Sequence, residues 1–268
     1  MKVVSYFNGI PIIDDDTPTD FLFDDAKFGR GHDPDQYVPE MFESPDKMEL
    51  IPESEYDARI AEQEREESSL EHLYLRAGWK NLDQQTDGFC WAYSTGHCAM
   101  LLRTRNNQPH VRLNPHAVAS IIKNGRNEGG WCGLSGKFLR ENGIPTEEFW
   151  RPGSRDLSQN TPAMRANAAL HKVAEDWYDL AKPVHGQVLT ERQADTSVLN
   201  NNPCAIDLMW WAHSVCYLRK VKIEDGSYGR LILNSWKDWG RRGLAILRGS
   251  KAIPDGAISL RMLTASTV

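Results

Sequence analysis

The pattern of apolar and polar positions divides the chain into stretches of different character. Residues 1–50 carry short apolar islands, such as Phe21-Leu22-Phe23, among Pro, Asp and Gly with no sustained period, which predicts an extended arm. Over 53–75, helix formers with sparse apolar positions at Tyr56, Ile60, Leu70 and Leu75 predict a mostly solvated helix. The run from Cys90 to Arg105 has no Pro, is small or apolar as far as Leu102, and ends in Arg103 and Arg105, cations suited to a helix C-terminus. It predicts a central buried helix. A second helix has Asn114 as its cap, Pro115 at its first position and Asn124-Gly125 as its stop. A third is expected over 135–141 and a fourth over 163–180, followed by strands at 204–211, 214–221, 229–233 and 244–248. Helices first and antiparallel strands later is the α+β pattern.

Composition and charge refine this picture. With 268 residues, 40% of them hydrophobic, the chain has ample material for a packed core. Residues 1–75 hold 20 acidic against 6 basic residues, a balance of −14, so 76–268 carries +8. An acidic arm (1–75) is therefore expected to be held by a basic body (76–268), made of a helical half (76–150) and a β-rich half (151–268), or else by a neighbouring subunit. The basic excess is dispersed, with no arginine-rich block, which argues against a nucleic-acid partner. No stretch of 18 apolar residues occurs, and Asn8, Gly9 and Pro11 interrupt the start, so neither a membrane partner nor a signal peptide is expected. Five cysteines (Cys90, Cys98, Cys132, Cys204, Cys216) with no CxxC spacing argue against a disulfide framework and against zinc. The expected setting is the cytoplasm or a particle assembled inside the cell, and no metal or other cofactor is expected.

Three segments carry candidate chemistry. Gln84 lies six residues before Cys90, which opens the buried helix and is followed by Trp91-Ala92-Tyr93-Ser94. A thiol at a helix N-terminus has its thiolate stabilised by the dipole, so a pKa below the usual ~8.5 is expected of Cys90. The backbone N–H of Cys90 and the amide of Gln84 could both donate to a developing oxyanion. His213 sits inside an apolar strand run 123 residues after Cys90, and Leu233-Asn234-Ser235-Trp236 precedes Trp239-Gly240. An imidazole at 213 could take the thiol proton, Asn234 could orient the ring, and Trp236 could exclude water from their bond.

These segments, over about 79–248, resemble the papain-like cysteine peptidases. The resemblance implies a papain-like α+β fold, in which a helical half with the nucleophile helix packs on an antiparallel β-rich half and the active site lies in the cleft between them. It implies Cys90 as nucleophile, His213 as base, Asn234 as orienting amide and Gln84 in the oxyanion hole, with a peptide or protein as substrate. It further implies that Gly129 and Gly130 line the cleft and pair with the substrate backbone. The chain departs from the pattern in several places. The positions of a disulfide found in secreted members are Asp87 and Asn127, the residue before the histidine is Ala212 where Asp or Asn is usual, and only ten residues separate Pro203 from His213. Nothing in 53–75 matches the family's propeptide helix. A specialised or processing peptidase is expected, and acyl transfer to an amine instead of water, by the same residues, is a separate reading left open. A structural or virion component on a peptidase fold, with the site unused, is the competing expectation.

Overall fold

The computed structural model describes residues 4–22, 27–37, 48–172, 176–180 and 190–261. The arm reading at 38–47, Phe23 of the apolar island and part of the predicted helix at 163–180 fall outside the described residues. The centre of the molecule is α4 (Cys90–Arg105), whose residues from Cys90 to Arg103 are all buried. A helix apolar or small on every side must be enclosed by other elements. It is enclosed by α5 (Pro115–Ile122) and α6 (Cys132–Asn142) on the helical side, and by the sheet on the other. The approach of α5 is close: a Cβ on Gly96 would lie 2.3 Å from Pro115 Cγ. Asn114 caps α5 by accepting from the His116 N–H, and Asn124 and Gly125 leave the helix with positive φ, as the local sequence demands.

Eight strands form one sheet: β1 (Ser5–Phe7), β2 (Ile10–Ile13), β3 (Asp176–Asp179), β4 (Cys204–Leu208), β5 (His213–Lys222), β6 (Tyr228–Leu233), β7 (Leu244–Leu247) and β8 (Gly256–Arg261). Their order is β1-β2-β7-β6-β5-β4-β8-β3. The pairing is antiparallel except between β2 and β7, which run parallel. The start of the chain is thus not simply extended. Asn8 and Gly9, both at positive φ, turn β1 back on β2, and the apolar run Ile10-Pro11-Ile12-Ile13 is fully buried beside the body's strands.

Three other sequence expectations are corrected. The 53–75 helix is two helices, α2 (Tyr56–Arg65) and α3 (Leu70–Ala77), because Ser69 accepts from the His72 N–H and starts a new helix after Glu67 turns at positive φ. Neither is mainly solvated on its inner face, since Tyr56, Ile60, Leu70 and Tyr74 are buried. The helix expected at 163–180 stops as α7 (Pro162–Ala169), and β3 follows. The strand at 204–211 ends at Leu208, where a single 3-10 turn, Met209–Trp211, joins β4 to β5 in a short hairpin.

The sequence pattern gave no sign of α8 (Thr190–Leu199), because its buried residues are largely polar. Asp195 on α8 accepts from Lys220 Nζ (2.6 Å), Tyr217 Oη (2.8 Å) and Arg230 Nε (3.0 Å), so the helix docks through a satisfied buried ionic network. The charge asymmetry of the chain is resolved by intrachain pairs. Arg219 on β5 binds Glu64 and Glu71, Lys222 binds Asp57, and Arg248 binds Asp14. The described arm residues therefore lie on their own chain. Among the described residues no helix is long and apolar enough to cross a membrane.

Arg219 and Glu71 face each other with side chains 8% and 11% exposed. Removing the cation strands a largely buried carboxylate, so Arg219→Ala is expected to cost about 2–4 kcal/mol in denaturant unfolding. Lys222→Ala, whose partner Asp57 is open to water, is expected to change stability far less in the same measurement.

Candidate active site

Cys90 opens α4 after Phe89, where the N–H groups of the first turn have no partner within the helix. The loop leading to it is shaped by Gln84, fully buried. Its N–H donates to Ser235 O (2.9 Å), its Oε1 accepts from Ser235 Oγ, and its Nε2 donates to Asp87 O (2.8 Å). The segment carrying Gln84 is thereby tied to the segment carrying Asn234. Asn81 adds a second tie, donating from Nδ2 to Asn234 O (2.8 Å).

His213 begins β5 and is fully buried, as is Asn234 just beyond β6. Nε2 of His213 lies 2.8 Å from Asn234 Oδ1, an oxygen that also accepts from the Ser235 N–H at 2.7 Å. An amide oxygen can only accept, so the proton of the neutral ring is on Nε2 and Nδ1 carries a bare lone pair. Nδ1 is buried and has no hydrogen-bond partner. The indole of Trp236 stacks on the imidazole at 4.4 Å, and Trp211 meets its edge at 5.0 Å, which shields the His213–Asn234 bond from water.

The thiol of Cys90 is contacted by strand β5 and, unexpectedly, by the N-terminal arm. The backbone amides of Ser214 and Gly31 face it and favour its charged form. The arm residues 29–33 run through the cleft as an added strand. His32 N–H donates to Ala212 O (3.0 Å), Gly130 N–H donates to Gly31 O (2.8 Å), and Asp33 N–H donates to Gly130 O (2.9 Å), in a parallel bridge. The carbonyl of Gly29 accepts from Gln84 Nε2 (2.8 Å) and from Trp236 Nε1 (3.1 Å). So Cys90, Gln84, Gly130 and Trp236 are brought together around one strand, and Gly129 packs beside it, its Cβ position 2.8 Å from Gly31 O.

Only glycine allows this passage. A Cβ on Gly29 would fall 2.1 Å from Asp87 O, and one on Gly31 would fall 2.1 Å from Gly88 O. The Gly29-Arg30-Gly31 triplet was the signal available in the sequence, inconspicuous in an arm already rich in Gly and Pro.

The electrostatics correct the expectation of a depressed thiol pKa. Burial pushes the Cys90 thiol up to about 11, although the Ser214 and Gly31 amides pull the other way. Cys90 is fully buried, and desolvation of the thiolate outweighs the helix terminus. Burial likewise lowers His213 to about 3, with the Asn234 hydrogen bond opposing it. The thiol of Cys90 and the imidazole of His213 are therefore both neutral. The other four cysteines are also buried and free, Cys98 and Cys216 lying 3.5 Å apart as thiols.

Comparison with known proteins gives the fold its name. No protein-family model matches the sequence, and no curated protein matches it. Among solved structures, xylellain, a cysteine protease from Xylella fastidiosa, is similar with a TM-score of 0.58 at 13% identity, over 88% of this chain and 97% of that one. The ragweed pollen cysteine protease Amb a 11, in its proform, gives a TM-score of 0.58 at 14% identity over 70% of this chain and 64% of that one. Digestive procathepsin L 3 from the larval midgut of Tenebrio molitor gives 0.56 at 16% identity, over 69% and 66%.

This chain has the papain-like fold.

The match to the two proforms spans about two thirds of their length. Asn127 Oδ1 accepts from the Gly88 N–H at 2.8 Å, which joins the segment of Asn127 to the segment of Asp87, while Asp87 itself lies 3.1 Å from His116 Nε2 and 3.4 Å from Arg155 Nε. Ala212 takes the left-handed conformation (φ 48°) and leaves its carbonyl to the arm. Among the described residues no group of three or more His, Cys, Asp or Glu side chains is arranged to hold a metal ion.

Buried histidines dictate an acid dependence. Burial lowers His213 and His97 to about 3, and His116 and His171 to about 4. A histidine whose folded pKa lies below its unfolded value of ~6.5 binds its proton more readily when unfolded, so stability falls as pH drops from ~6.5 towards those folded values. Asp87 and Asp207, pushed up by burial, act in the opposite sense. The histidines outnumber them. Calorimetry should show Tm falling steeply between pH 6.5 and 4, and a flat profile there would contradict the neutral burial of these rings.

Proposed function

We propose that the chain is a cysteine peptidase held inactive by its own arm. The observation that carries this reading is the carbonyl oxygen of Gly29, which accepts the amide proton of Gln84 beside a thiol at a helix N-terminus. A peptide carbonyl thus occupies the place from which Gln84 and the Cys90 N–H would stabilise an oxyanion.

In the proposed reaction, Nδ1 of His213 takes the proton of Cys90 while Asn234 holds Nε2. The thiolate attacks a peptide carbonyl carbon, and the negative oxygen is bound by Gln84 and the Cys90 N–H. The imidazolium returns the proton to the departing amine, leaving a thioester on Cys90. A water molecule, deprotonated by His213, then adds to the thioester, and the carboxylic acid leaves as the thiol is regenerated. Gly130 supplies an N–H and a C=O to the backbone of the bound peptide, as it does to the arm.

In this arrangement the backbone N–H of Gly31 faces Cys90, and burial keeps the thiol protonated.

Displacing the arm should expose the site. Gly31→Ala places a methyl group against Gly88 O, and it is expected to raise the rate of Cys90 alkylation by iodoacetamide at pH 7.5 at least tenfold, with peptide hydrolysis rising in parallel. Adding Cys90→Ala to that variant should abolish hydrolysis. Hydrolysis that persists without Cys90 would refute the reading.

A further inference from the structure

We propose that the pocket receiving the side chain of His32 is a subsite for a cationic side chain, with Asp207 as its specificity-determining residue, so that the peptides cleaved carry Arg or Lys there. The substrate part rests on the peptidase reading above. The binding part does not.

The pocket, of about 200 Å³, opens beside the cleft between His32, Pro34, Tyr37, Trp131 and Met209, with Asp207 in its wall. Asp207 lies on β4 and is fully buried, an unusual place for a carboxylate. Its Oδ1 is heavily used, accepting from Ser214 Oγ (2.5 Å) and Cys132 Sγ (3.0 Å) and standing 3.3 Å from His32 Nδ1. Its Oδ2 is buried with no hydrogen-bond partner. Among the described residues, His32 is the one ion-pair partner of Asp207.

A buried carboxylate with one bare oxygen is costly unless a donor arrives to meet it, and burial does push the Asp207 carboxyl up. An imidazole reaches only Oδ1. A guanidinium or ammonium offers several donors from a longer stem and can meet both oxygens. Two neighbours favour such a guest. Gly256, on β8 opposite Asp207, would with a Cβ come within 3.3 Å of Oδ2, so its bare backbone leaves the oxygen approachable. Asp255 at the pocket mouth adds a second negative charge, with one oxygen already accepting from the Met209 N–H at 2.7 Å.

The backbone around His32 fixes which side chain enters. Hydrogen bonds to Ala212 and Gly130 hold residues 31–33 as a strand, and the neighbouring Gly31 touches Cys90. A peptide using the same rail places one side chain in this pocket within a residue or two of the thiol, close enough to select where cleavage occurs.

The test uses the full chain and reads the arm first. Hydrogen exchange of the 29–33 and Gly130 amides is measured in His32→Arg, His32→Leu and His32→Glu. Arginine should protect at least as well as histidine, and leucine and glutamate should lose protection at least tenfold. Leucine protecting as well as arginine would overturn the proposal. In an Asp207→Asn background, the advantage of arginine over leucine should disappear, and its survival would equally overturn it. Should Asp207→Asn not fold, the His32→Glu chain, its arm released, is given a positional-scanning peptide library. At least tenfold enrichment of Arg or Lys at one position supports the proposal, and hydrolysis with no cationic preference overturns it while leaving the peptidase reading intact. A chain that hydrolyses nothing, yet keeps the arginine-over-leucine order in exchange, loses the peptidase reading and retains the cationic subsite.

Discussion

The passage of residues 29–33 between the nucleophile loop and Gly130 is the constraint on which the active-site arrangement depends. Two glycines lie against backbone carbonyls where no side chain would fit, and five backbone or amide hydrogen bonds hold the strand in place. Each such bond contributes on the order of 1 kcal/mol. Cys90 and His213 are both fully buried beside this strand, and burial drives each to its neutral form, the thiol by raising its pKa and the imidazole by lowering it. In the function proposed above, Cys90, His213 and Asn234 would act as nucleophile, base and orienting amide, with the arm holding that chemistry in reserve.

The position of the arm follows from charge and from the sheet. The acidic α2 and α3 meet basic residues of β5, and β2 pairs with β7, so the chain is fastened to the body on both sides of the cleft segment. Segments 23–26 and 38–47 lie outside the described residues, and 27–37 is fastened through the cleft itself. The arm is therefore both a part of the folded core and an occupant of the site. The two roles separate at the glycines.

Much of the body was legible in the sequence because its signals are local. Asn114 and Pro115 start a helix, Asn124 and Gly125 stop it, and the unbroken run after Cys90 can only be an enclosed helix. The relation of His213 to Asn234 was legible from the motifs around them, since an amide beside an imidazole has few other uses. What escaped is non-local. The polar α8 looks like a surface segment until Lys220, Tyr217 and Arg230 are placed around Asp195. His32 and Asp207 lie 175 positions apart in the chain and acquire meaning only when the arm brings them to 3.3 Å. The sign of the Cys90 shift was misjudged for the same reason: a helix terminus is visible in sequence, and the strand that dries it is not.

Whether burial keeps Cys90 as a silent thiol is decided by the pH profile of its alkylation in the intact chain, followed site by site by mass spectrometry. Negligible reaction is expected at pH 7, with a rate still climbing as pH approaches 11. A rate already at its plateau by pH 7 would mean a thiolate formed under the arm and would overturn the proposed silencing.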